Sequence, residues 1–165
     1  EQCSGESRLA TGAAANNVDL YQVNCTYYSA LGCDDYRYLL ARAIQFFCPG
    51  IPQVYYTGLL ALPNDMELLA ESQVGRDINR SYLDLAKVRT HVQKPVVQAL
   101  LKLIKLRNES NAFNGEFEQV KTKEQYAMQW SNGHDEACLH IELDTLDAHI
   151  TINNVTHALF SLLQG

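Results

Sequence analysis

The pattern of apolar and polar positions predicts an amphipathic helix that begins near residue 35. Asp34 and Asp35 are good N-cap residues, and Arg37 and Arg42 lie off the apolar face that follows them. This face comprises Leu39, Leu40, Ala43, Ile44 and Phe47. Pro49-Gly50 ends the helix, because proline cannot continue an α-helix.

A short buried strand is predicted over residues 51–56, since a proline near the start of a strand is tolerated. A long polar loop follows over residues 57–80, and loops after strands carry sites in α/β folds. A second helix is predicted from about residue 95 to residue 107, with Lys102 and Lys105 facing outward. Its apolar face comprises Val96, Val97, Leu100, Leu101 and Ile104.

From Asn114 the apolar period changes from helical to alternating, which is typical of strands. A β-hairpin is predicted around the turn at residues 131–133. Its apolar faces comprise Tyr126, Met128 and Trp130 before the turn and Leu139, Ile141 and Leu143 after it. Further strands are predicted over residues 149–152 and 158–160, so residues 113–165 form a small antiparallel β-domain.

These predicted elements do not close into a fold of their own. Residues 1–32 are loop-rich, and the predicted strand at residues 51–56 has no parallel neighbour in the chain. The 165 residues also fall short of the roughly 250 that a complete (β/α)₈ barrel needs. Because the chain begins with Glu1 rather than methionine, we expect it to be the end of a longer protein that supplies the neighbouring strands.

Charge and composition argue against several classes of protein. Thirteen Lys and Arg against nineteen Asp and Glu give a formal net charge of −6 without a basic cluster, so nucleic acid is not an expected partner. No run reaches the roughly eighteen apolar residues of a membrane span. The five cysteines form no C-x-x-C pair, which predicts no metal site and favours reduced thiols in the cytosol, with oxidised pairs left open. No phosphate loop or dinucleotide fingerprint indicates a cofactor.

Candidate binding chemistry is concentrated in the segment Gly75–Arg80. An arginine in a loop can hold ligand hydroxyls or carboxylates through its planar guanidinium, with Asp77 as a local partner. A structural ion-pair cluster explains the same residues, and the residues alone favour it, above all for Arg80. For the tyrosines that precede residue 57, half-buried packing is favoured over stacking on a sugar.

Several segments, in order along the chain, carry a family likeness. They are Gly5–Ser7, Ala10–Ala15, Asp19–Tyr28, Ala41–Phe47, Pro49–Tyr56, Asn64–Leu68 and Gly75–Arg80. Together they resemble the C-terminal part of the sucrose phosphorylase family of the α-amylase clan, in which residues 50–56 are similar to the last barrel strand. The likeness extends to about Gly115, while the β-domain matches in kind rather than in motif.

The resemblance implies a fold class of α/β followed by β. The chain would be the C-terminal part of a (β/α)₈ barrel, with its last strand and flanking helices, followed by a small antiparallel β-domain. Residues 1–32 would be the end of an inserted active-site subdomain, residues 33–112 the last βα part of the barrel, and residues 113–165 the β-domain.

The family transfers a glucosyl group from sucrose to phosphate with retained configuration, giving α-glucose 1-phosphate and fructose. Such a transfer uses two carboxyl groups about 5–5.5 Å apart, one as nucleophile and one as acid/base. The resemblance places these groups upstream of Glu1, so no catalytic residue is expected here, and Asp65, Glu67 and Asp77 do not replace them. It implies a cytoplasmic enzyme without metal or other cofactor, and it is compatible with a homodimer of the full-length protein.

The resemblance also implies substrate-binding residues. In the segment Asp19-Leu20-Tyr21-Gln22, Asp19 and Gln22 would hydrogen-bond fructose hydroxyls and Tyr21 would help to seat phosphate. Arg76 matches the arginine that holds the glucosyl unit. Leu20 favours plain sucrose, because relatives that act on sucrose 6′-phosphate are expected to carry a basic side chain there. A phosphorylase for another α-glucoside, such as glucosylglycerate or sucrose 6′-phosphate, and a non-catalytic remnant or binding module stay open as alternatives.

Overall fold

The computed structural model describes residues 6, 7, 10 and 24–164. The chain divides into two compact units: unit 1 comprises residues 1–38 and 54–97, and unit 2 comprises residues 39–53 and 98–165. Across the described ranges, no helix is both long enough and apolar enough to cross a membrane.

Helices precede strands along the chain, as the change of period near residue 114 predicts. Over residues 24–164, the helices are α1 (Tyr27–Ala30), α2 (Asp35–Phe47), α3 (Tyr56–Leu59), α4 (Met66–Ser72), α5 (Leu85–Val92) and α6 (Pro95–Glu109), with 3₁₀ turns at Gly75–Asn79, Asn111–Asn114 and Leu159–Gln164. The strands are β1 (Glu116–Lys121), β2 (Gln125–Asn132), β3 (Asp135–Glu142), β4 (Ala148–Ile152) and β5 (Val155–Ala158).

Helix α2 confirms the first predicted helix. Asp34 caps it, because its Oδ1 accepts the backbone N–H of Arg37 at 2.9 Å. The buried apolar side chains of the helix are Tyr38, Leu39, Leu40, Ala43, Phe46 and Phe47. Arg42 differs from the prediction, since it is buried rather than turned outward. Its guanidinium donates to Oε1 of Gln45 at 2.6 Å, which gives the charged group a polar partner on the same helix.

Helix α6 confirms the second predicted helix. Pro95 occupies its first position, where the missing N–H is tolerated because the first turn has no intrahelical acceptor for it. Lys102 and Lys105 are exposed as predicted. Leu103 is buried and Leu101 is exposed, so the apolar face is rotated slightly from the predicted one.

The strand predicted over residues 51–56 is wrong. Residues 51–55 have no regular secondary structure and Tyr56 begins α3. The side chain of Ile51 is 90% exposed. A parallel strand forms only where neighbouring strands complete its hydrogen bonds, and the described residues offer this segment no such neighbour.

The loop predicted over residues 57–80 contains regular structure. Asp65 caps α4 by accepting the backbone N–H of Leu68 at 2.9 Å, and the Gly75–Asn79 turn follows. Helix α5 was not predicted either, although Asp84 caps it in the same way by accepting the backbone N–H of Lys87 at 2.7 Å. Short capped helices are easily missed because too few apolar positions reveal their period.

The sheet of unit 2 is an antiparallel meander with the strand order β1-β2-β3-β4-β5. Its buried face comprises Met128, Trp130, Ala137, Leu139, Ile141, Ala148 and Ile150. The predicted hairpin is confirmed: β2 pairs with β3, and Gly133 at the turn has a φ of +64° that favours glycine. The strand predicted at residues 158–160 is only partly right, because Leu159 and Phe160 lie in a 3₁₀ turn.

A half-buried arginine, Arg107, lies against aromatic rings of unit 2. The guanidinium carbon of Arg107 lies 4.0 Å from the ring centroid of Phe113, and its Nε donates to the carbonyl of Phe46 at 2.9 Å. Burial lowers the pKa of this guanidinium below its usual value. Trp130 donates its Nε1–H to the carbonyl of Phe47 at 2.7 Å. These two donors satisfy carbonyl groups at the C-terminal end of α2, which have no partner within the helix.

Candidate functional site

The predicted glucosyl-binding residue, Arg76, lies on the 3₁₀ turn Gly75–Asn79 of unit 1. Its side chain is half-buried, between the buried Gly75 and Ile78. The turn is closed by hydrogen bonds from the Asp77 N–H to the Val74 carbonyl at 2.9 Å and from the Arg80 N–H to the Asp77 carbonyl at 3.1 Å. The backbone that carries Arg76 is therefore fixed locally while its side chain keeps some access to solvent.

A small apolar cluster fixes this turn to the rest of unit 1. Ile78 packs with Leu69 of α4 and with Ala10, and all three side chains are buried. Met66 packs against the cluster. A backbone hydrogen bond from the Asp65 N–H to the Ile78 carbonyl, at 2.8 Å, joins the start of α4 to the same turn. Ala10, far upstream in the sequence, is thus packed together with the turn that presents Arg76.

The predicted acceptor-binding residues Asp19, Leu20, Tyr21 and Gln22 lie outside the described residues. The residues on either side of this part of the chain are joined. Nδ2 of the buried Asn24 donates to the carbonyl of Ala10 at 3.4 Å, and the hydroxyl of Ser7 donates to the carbonyl of Asn24 at 3.1 Å. Residues 10 and 24, which bracket the predicted acceptor segment, are held next to each other.

Asn64 links several parts of unit 1, a function that the sequence pattern did not reveal. Its Oδ1 accepts the backbone N–H of Thr26 at 2.7 Å, and its Nδ2 donates to Oε2 of Glu6 at 2.7 Å. The backbone N–H of Asn64 donates to Oγ of Ser29 at 2.9 Å, and Nδ2 also lies 3.5 Å from Sγ of Cys25. Both ends of its amide are used, so Asn64 joins the N-terminal residues to the start of α4.

A cleft of about 430 Å³ lies in unit 1 beside Asn64 and Asp65. Glu67, Lys87 and His91 contribute titratable groups to its wall. Burial lowers the pKa of the His91 imidazole, and the charge of Lys94 lowers it further, so this side chain is neutral at pH 7. Its Nδ1 is buried and has no hydrogen-bond partner among the described residues. Arg76 does not contribute to the wall of this cleft.

One carboxylate and one backbone segment near Arg76 have structural tasks. Asp65 caps α4, and the Asp77 backbone closes the 3₁₀ turn. Among the described residues, no group of three or more His, Cys, Asp or Glu side chains could hold a metal ion. Cys25, Cys33, Cys48 and Cys138 are free thiols.

Three tyrosines of unit 1, Tyr27, Tyr28 and Tyr38, are packed against one another. The ring of Tyr38 is buried, with the rings of Tyr27 and Tyr28 edge-on at 5.7 and 5.3 Å between centroids. Its hydroxyl donates to the carbonyl of Gly58. The hydroxyl of Tyr28 donates to Asp35 at 2.7 Å, and burial together with this hydrogen bond raises the pKa of Tyr28 well above its usual value. For these three tyrosines the contacts agree with the packing interpretation rather than with sugar stacking.

Comparison with known proteins places these features in a family. The chain is 62% identical over 113 residues to the sucrose phosphorylase of Bifidobacterium adolescentis. The matched region covers 68% of this chain and 22% of that protein. It is 52% identical over 141 residues to the sucrose 6(F)-phosphate phosphorylase of Thermoanaerobacterium thermosaccharolyticum, covering 84% of this chain and 29% of that protein. No family model matches the chain.

A solved structure agrees with the sequence comparison. The crystal structure of sucrose 6F-phosphate phosphorylase from Thermoanaerobacter thermosaccharolyticum superposes with a TM-score of 0.78 and 49% identity, covering 83% of this chain and 29% of that one. The matches lie in the C-terminal portion of these longer relatives, so this chain spans less than a third of their length. The fold and these homologues place the chain in the class of glycoside phosphorylases. Within that class, the chain belongs to the sucrose phosphorylase family and corresponds to its C-terminal portion.

The predicted fold class is confirmed at this level. Helices are followed by a small five-stranded antiparallel β-domain, and the whole corresponds to the C-terminal portion of a longer phosphorylase. Asn64 is the part of the candidate site that the sequence reasoning missed. The only local signal is its position directly before the Asp65 helix cap, within a polar segment.

Proposed function

We propose that this chain acts as the C-terminal part of an enzyme that transfers a glucosyl group from sucrose to phosphate. The products are α-glucose 1-phosphate and fructose, with the configuration of the glucosyl carbon retained. The observation that carries this proposal is the 62% identity to the Bifidobacterium adolescentis sucrose phosphorylase over two thirds of the chain. The nucleophile and the acid/base of the double displacement belong, in this proposal, to sequence upstream of Glu1.

The chain's own contribution is substrate binding. Arg76 holds the glucosyl unit, and its fixed turn and half-buried side chain support this assignment. A charged hydrogen bond to a sugar hydroxyl in a closed pocket contributes about 1.5–3 kcal/mol. Asp19 and Gln22 hydrogen-bond the fructose hydroxyls, Tyr21 helps to seat phosphate, and Leu20 leaves no cation for a second phosphate group.

The proposal extends to the organisation of the full-length protein. Residues 1–32 end an inserted subdomain, residues 33–112 complete the barrel and residues 113–165 form the C-terminal β-domain. The enzyme is cytoplasmic and needs no metal or other cofactor, and a homodimer fits the proposal.

The decisive experiment uses the full-length product of the gene that encodes this chain. We expect fructose to be released from sucrose only when phosphate is supplied, with equal formation of glucose 1-phosphate. Release of fructose at the same rate without phosphate would contradict the proposal. Absence of any activity on both sucrose and sucrose 6(F)-phosphate would instead support the alternative of a non-catalytic remnant or binding module.

A second candidate is phosphorolysis of sucrose 6(F)-phosphate. It is favoured by the match to the Thermoanaerobacterium thermosaccharolyticum relative, which covers more of this chain than the sucrose phosphorylase match does. The reverse reaction distinguishes the two, with fructose and fructose 6-phosphate offered separately as acceptors for glucose 1-phosphate. Plain sucrose as substrate predicts a preference for fructose, and a Leu20→Arg variant should shift the ratio of kcat/KM toward fructose 6-phosphate.

A further inference from the structure

Asn64 is a polar side chain of the described part of the chain that has several hydrogen-bond partners and no task in the proposed function. Its amide oxygen and amide nitrogen are each 2.7 Å from a partner, the Thr26 backbone N–H and the Glu6 carboxylate. The contact with Glu6 joins residues 58 positions apart in the sequence. Distances this short are typical of well-formed hydrogen bonds, and a carboxylate acceptor makes the second one charge-assisted.

The groups that Asn64 holds belong to the part of the chain that precedes α1. Thr26 is the N-cap of α1 and accepts the backbone N–H of Ser29 at 3.1 Å. Ser29 in turn accepts the backbone N–H of Asn64. Asn24, two residues before Thr26, is joined to Ala10, and Ser7, next to Glu6, is joined to Asn24. Asn64 therefore fixes both sides of the chain that brackets residues 11–23.

The residue that follows Asn64 fixes the other half of the candidate site. The backbone N–H of Asp65 donates to the carbonyl of Ile78, two residues after Arg76. Ile78 also packs with Ala10 in the buried cluster. The dipeptide Asn64-Asp65 thus connects the turn that carries Arg76 with the chain on either side of residues 11–23.

We propose that Asn64 is a positioning residue for substrate binding in the full-length enzyme, acting through Glu6 and Thr26. This inference rests on the proposed function, since it needs a substrate whose binding can be measured. Asn64 itself is assigned no contact with the substrate. Its task is to keep two segments in one arrangement, so its loss should weaken binding more than it slows the chemical step.

The structure offers a specific way to break this link. Asn64→Asp keeps the size of the side chain and the acceptor for the Thr26 N–H, but it replaces the amide donor by a carboxylate that faces the Glu6 carboxylate. A lost donor and a like-charge contact result. Adding Glu6→Gln restores a donor and acceptor pair with reversed direction, because the glutamine amide can donate to the new carboxylate.

The test measures steady-state phosphorolysis of sucrose by the full-length protein. We expect Asn64→Asp to raise the KM for sucrose and for phosphate about tenfold while kcat changes less than threefold, and the double variant to return both KM values to within about threefold of the unchanged protein. A variant that merely lowers the folded fraction would reduce the apparent kcat at unchanged KM. That outcome, or the absence of rescue by Glu6→Gln, would overturn the inference.

Unit 2 supplies a matched control. Nδ2 of Asn111 donates to Oδ2 of Asp135 at 3.0 Å, which is the same amide-to-carboxylate contact in a different setting. Asn111→Asp should leave both KM values unchanged, and an equal rise would contradict a specific task for Asn64. If Asn64→Asp does not fold, Glu6→Ala removes the acceptor of the same hydrogen bond and should still raise KM. Failure of the unchanged protein to turn over sucrose would refute the proposed function instead.

Discussion

Each of the two units has its own kind of internal contact. In unit 2, five antiparallel strands pair residue by residue, and a cluster around Arg107 and Trp130 fills the core beside them. In unit 1, short helices are joined by side-chain hydrogen bonds from a few polar residues, among them Asn24 and Asn64. Arg76, the candidate substrate-binding residue that the structure describes, belongs to unit 1.

Because of this difference, we expect side chains of unit 2 to matter mainly for stability and side chains of unit 1 to matter mainly for the position of the binding residues. A sheet distributes its stability over many backbone hydrogen bonds, so most exposed side chains in unit 2 are replaceable and only a few buried positions are critical. The short helices of unit 1 depend on individual side chains for their connections. One substitution in unit 1 can therefore move a binding residue without unfolding the unit. Substitutions in unit 2 should therefore change the free energy of unfolding, whereas substitutions in unit 1 should change the kinetic constants.

The largest effect is expected at Gly115, which precedes β1 in unit 2. A Cβ at this position would collide with the Ser131 carbonyl group, lying 2.6 Å from its carbon and 2.7 Å from Cβ of Asn132. Gly115→Ala should cost about 3 kcal/mol of stability or more, because backbone must move to relieve the overlap. Hydrogen exchange of the β1 and β2 amides in the full-length protein measures this loss.

Gly133→Ala is the control for this substitution. Gly133 has a positive φ, but nothing lies within 4 Å of its added Cβ. The cost should be about 1 kcal/mol, from backbone strain alone. Equal protection factors in the two variants would show that the close approach at Gly115 is not rigid.

The next effect is expected in unit 1 and concerns activity. Arg76→Ala in the full-length protein should lower kcat/KM for sucrose about 10- to 150-fold, which corresponds to the loss of about 1.5–3 kcal/mol of charge-assisted hydrogen bonding. Arg80→Ala, in the exposed residue that ends the same turn, should change kcat/KM less than twofold. A similar loss in both variants would mean that the turn, rather than the Arg76 side chain, is what the substrate needs.

A smaller effect on stability is expected from Trp130→Phe in unit 2. The substitution keeps a ring near Phe113 and Phe117 but leaves the Phe47 carbonyl without its indole donor. Urea denaturation should show a loss of about 1–3 kcal/mol, the cost of an unpaired buried acceptor. Tyr126 lies in the same strand as Trp130, and its hydroxyl makes an exposed hydrogen bond to Gln119 of β1. Tyr126→Phe removes this bond and should cost much less stability. Comparable losses would contradict the importance of burial.

The smallest effect is expected from Asp135 in unit 2 and depends on pH. Amide donors from Asn111 and Asn153, each at 3.0 Å, lower the pKa of the Asp135 carboxyl. Because the folded-state pKa is depressed, this group stabilises the protein above its unfolded pKa of about 3.9, and the contribution is lost as the pH falls through the lower folded value. Asp135→Asn should therefore reduce the fall in stability between pH 6 and pH 3. An unchanged acid dependence would contradict this contribution.

Local sequence signals predicted the regular elements well where their period was long enough to read. The alternation of Met128, Trp130, Leu139 and Ile141 gave the correct buried face of the sheet, since the side chains of a strand alternate strictly. The aspartate before α2 gave the correct start of that helix. The strand at residues 51–56 was predicted wrongly because an apolar run indicates burial but does not supply the partner strands that pairing requires.

The candidate site was predictable in part. The segment around Arg76 was identified because it concentrates fixed charge and because it carries the family likeness. Asn64 could not be identified as a link, since its partners Thr26 and Glu6 are 38 and 58 residues away in the sequence. Contacts of that range leave no period and no motif in a single sequence.

The sequence by itself determined the two main helices, the strand alternation of the last third of the chain and the family to which the chain belongs. The helices and strands follow from local residue preferences. The family likeness follows from the order of residues along the chain. Only the tertiary structure decided which polar side chains become structural links, that Arg42 is buried with a partner, and that the half-buried Arg107 donates to the Phe46 carbonyl. The physical reason is that a hydrogen bond depends on two groups meeting in space with the right geometry, and that meeting is fixed by packing rather than by position in the sequence.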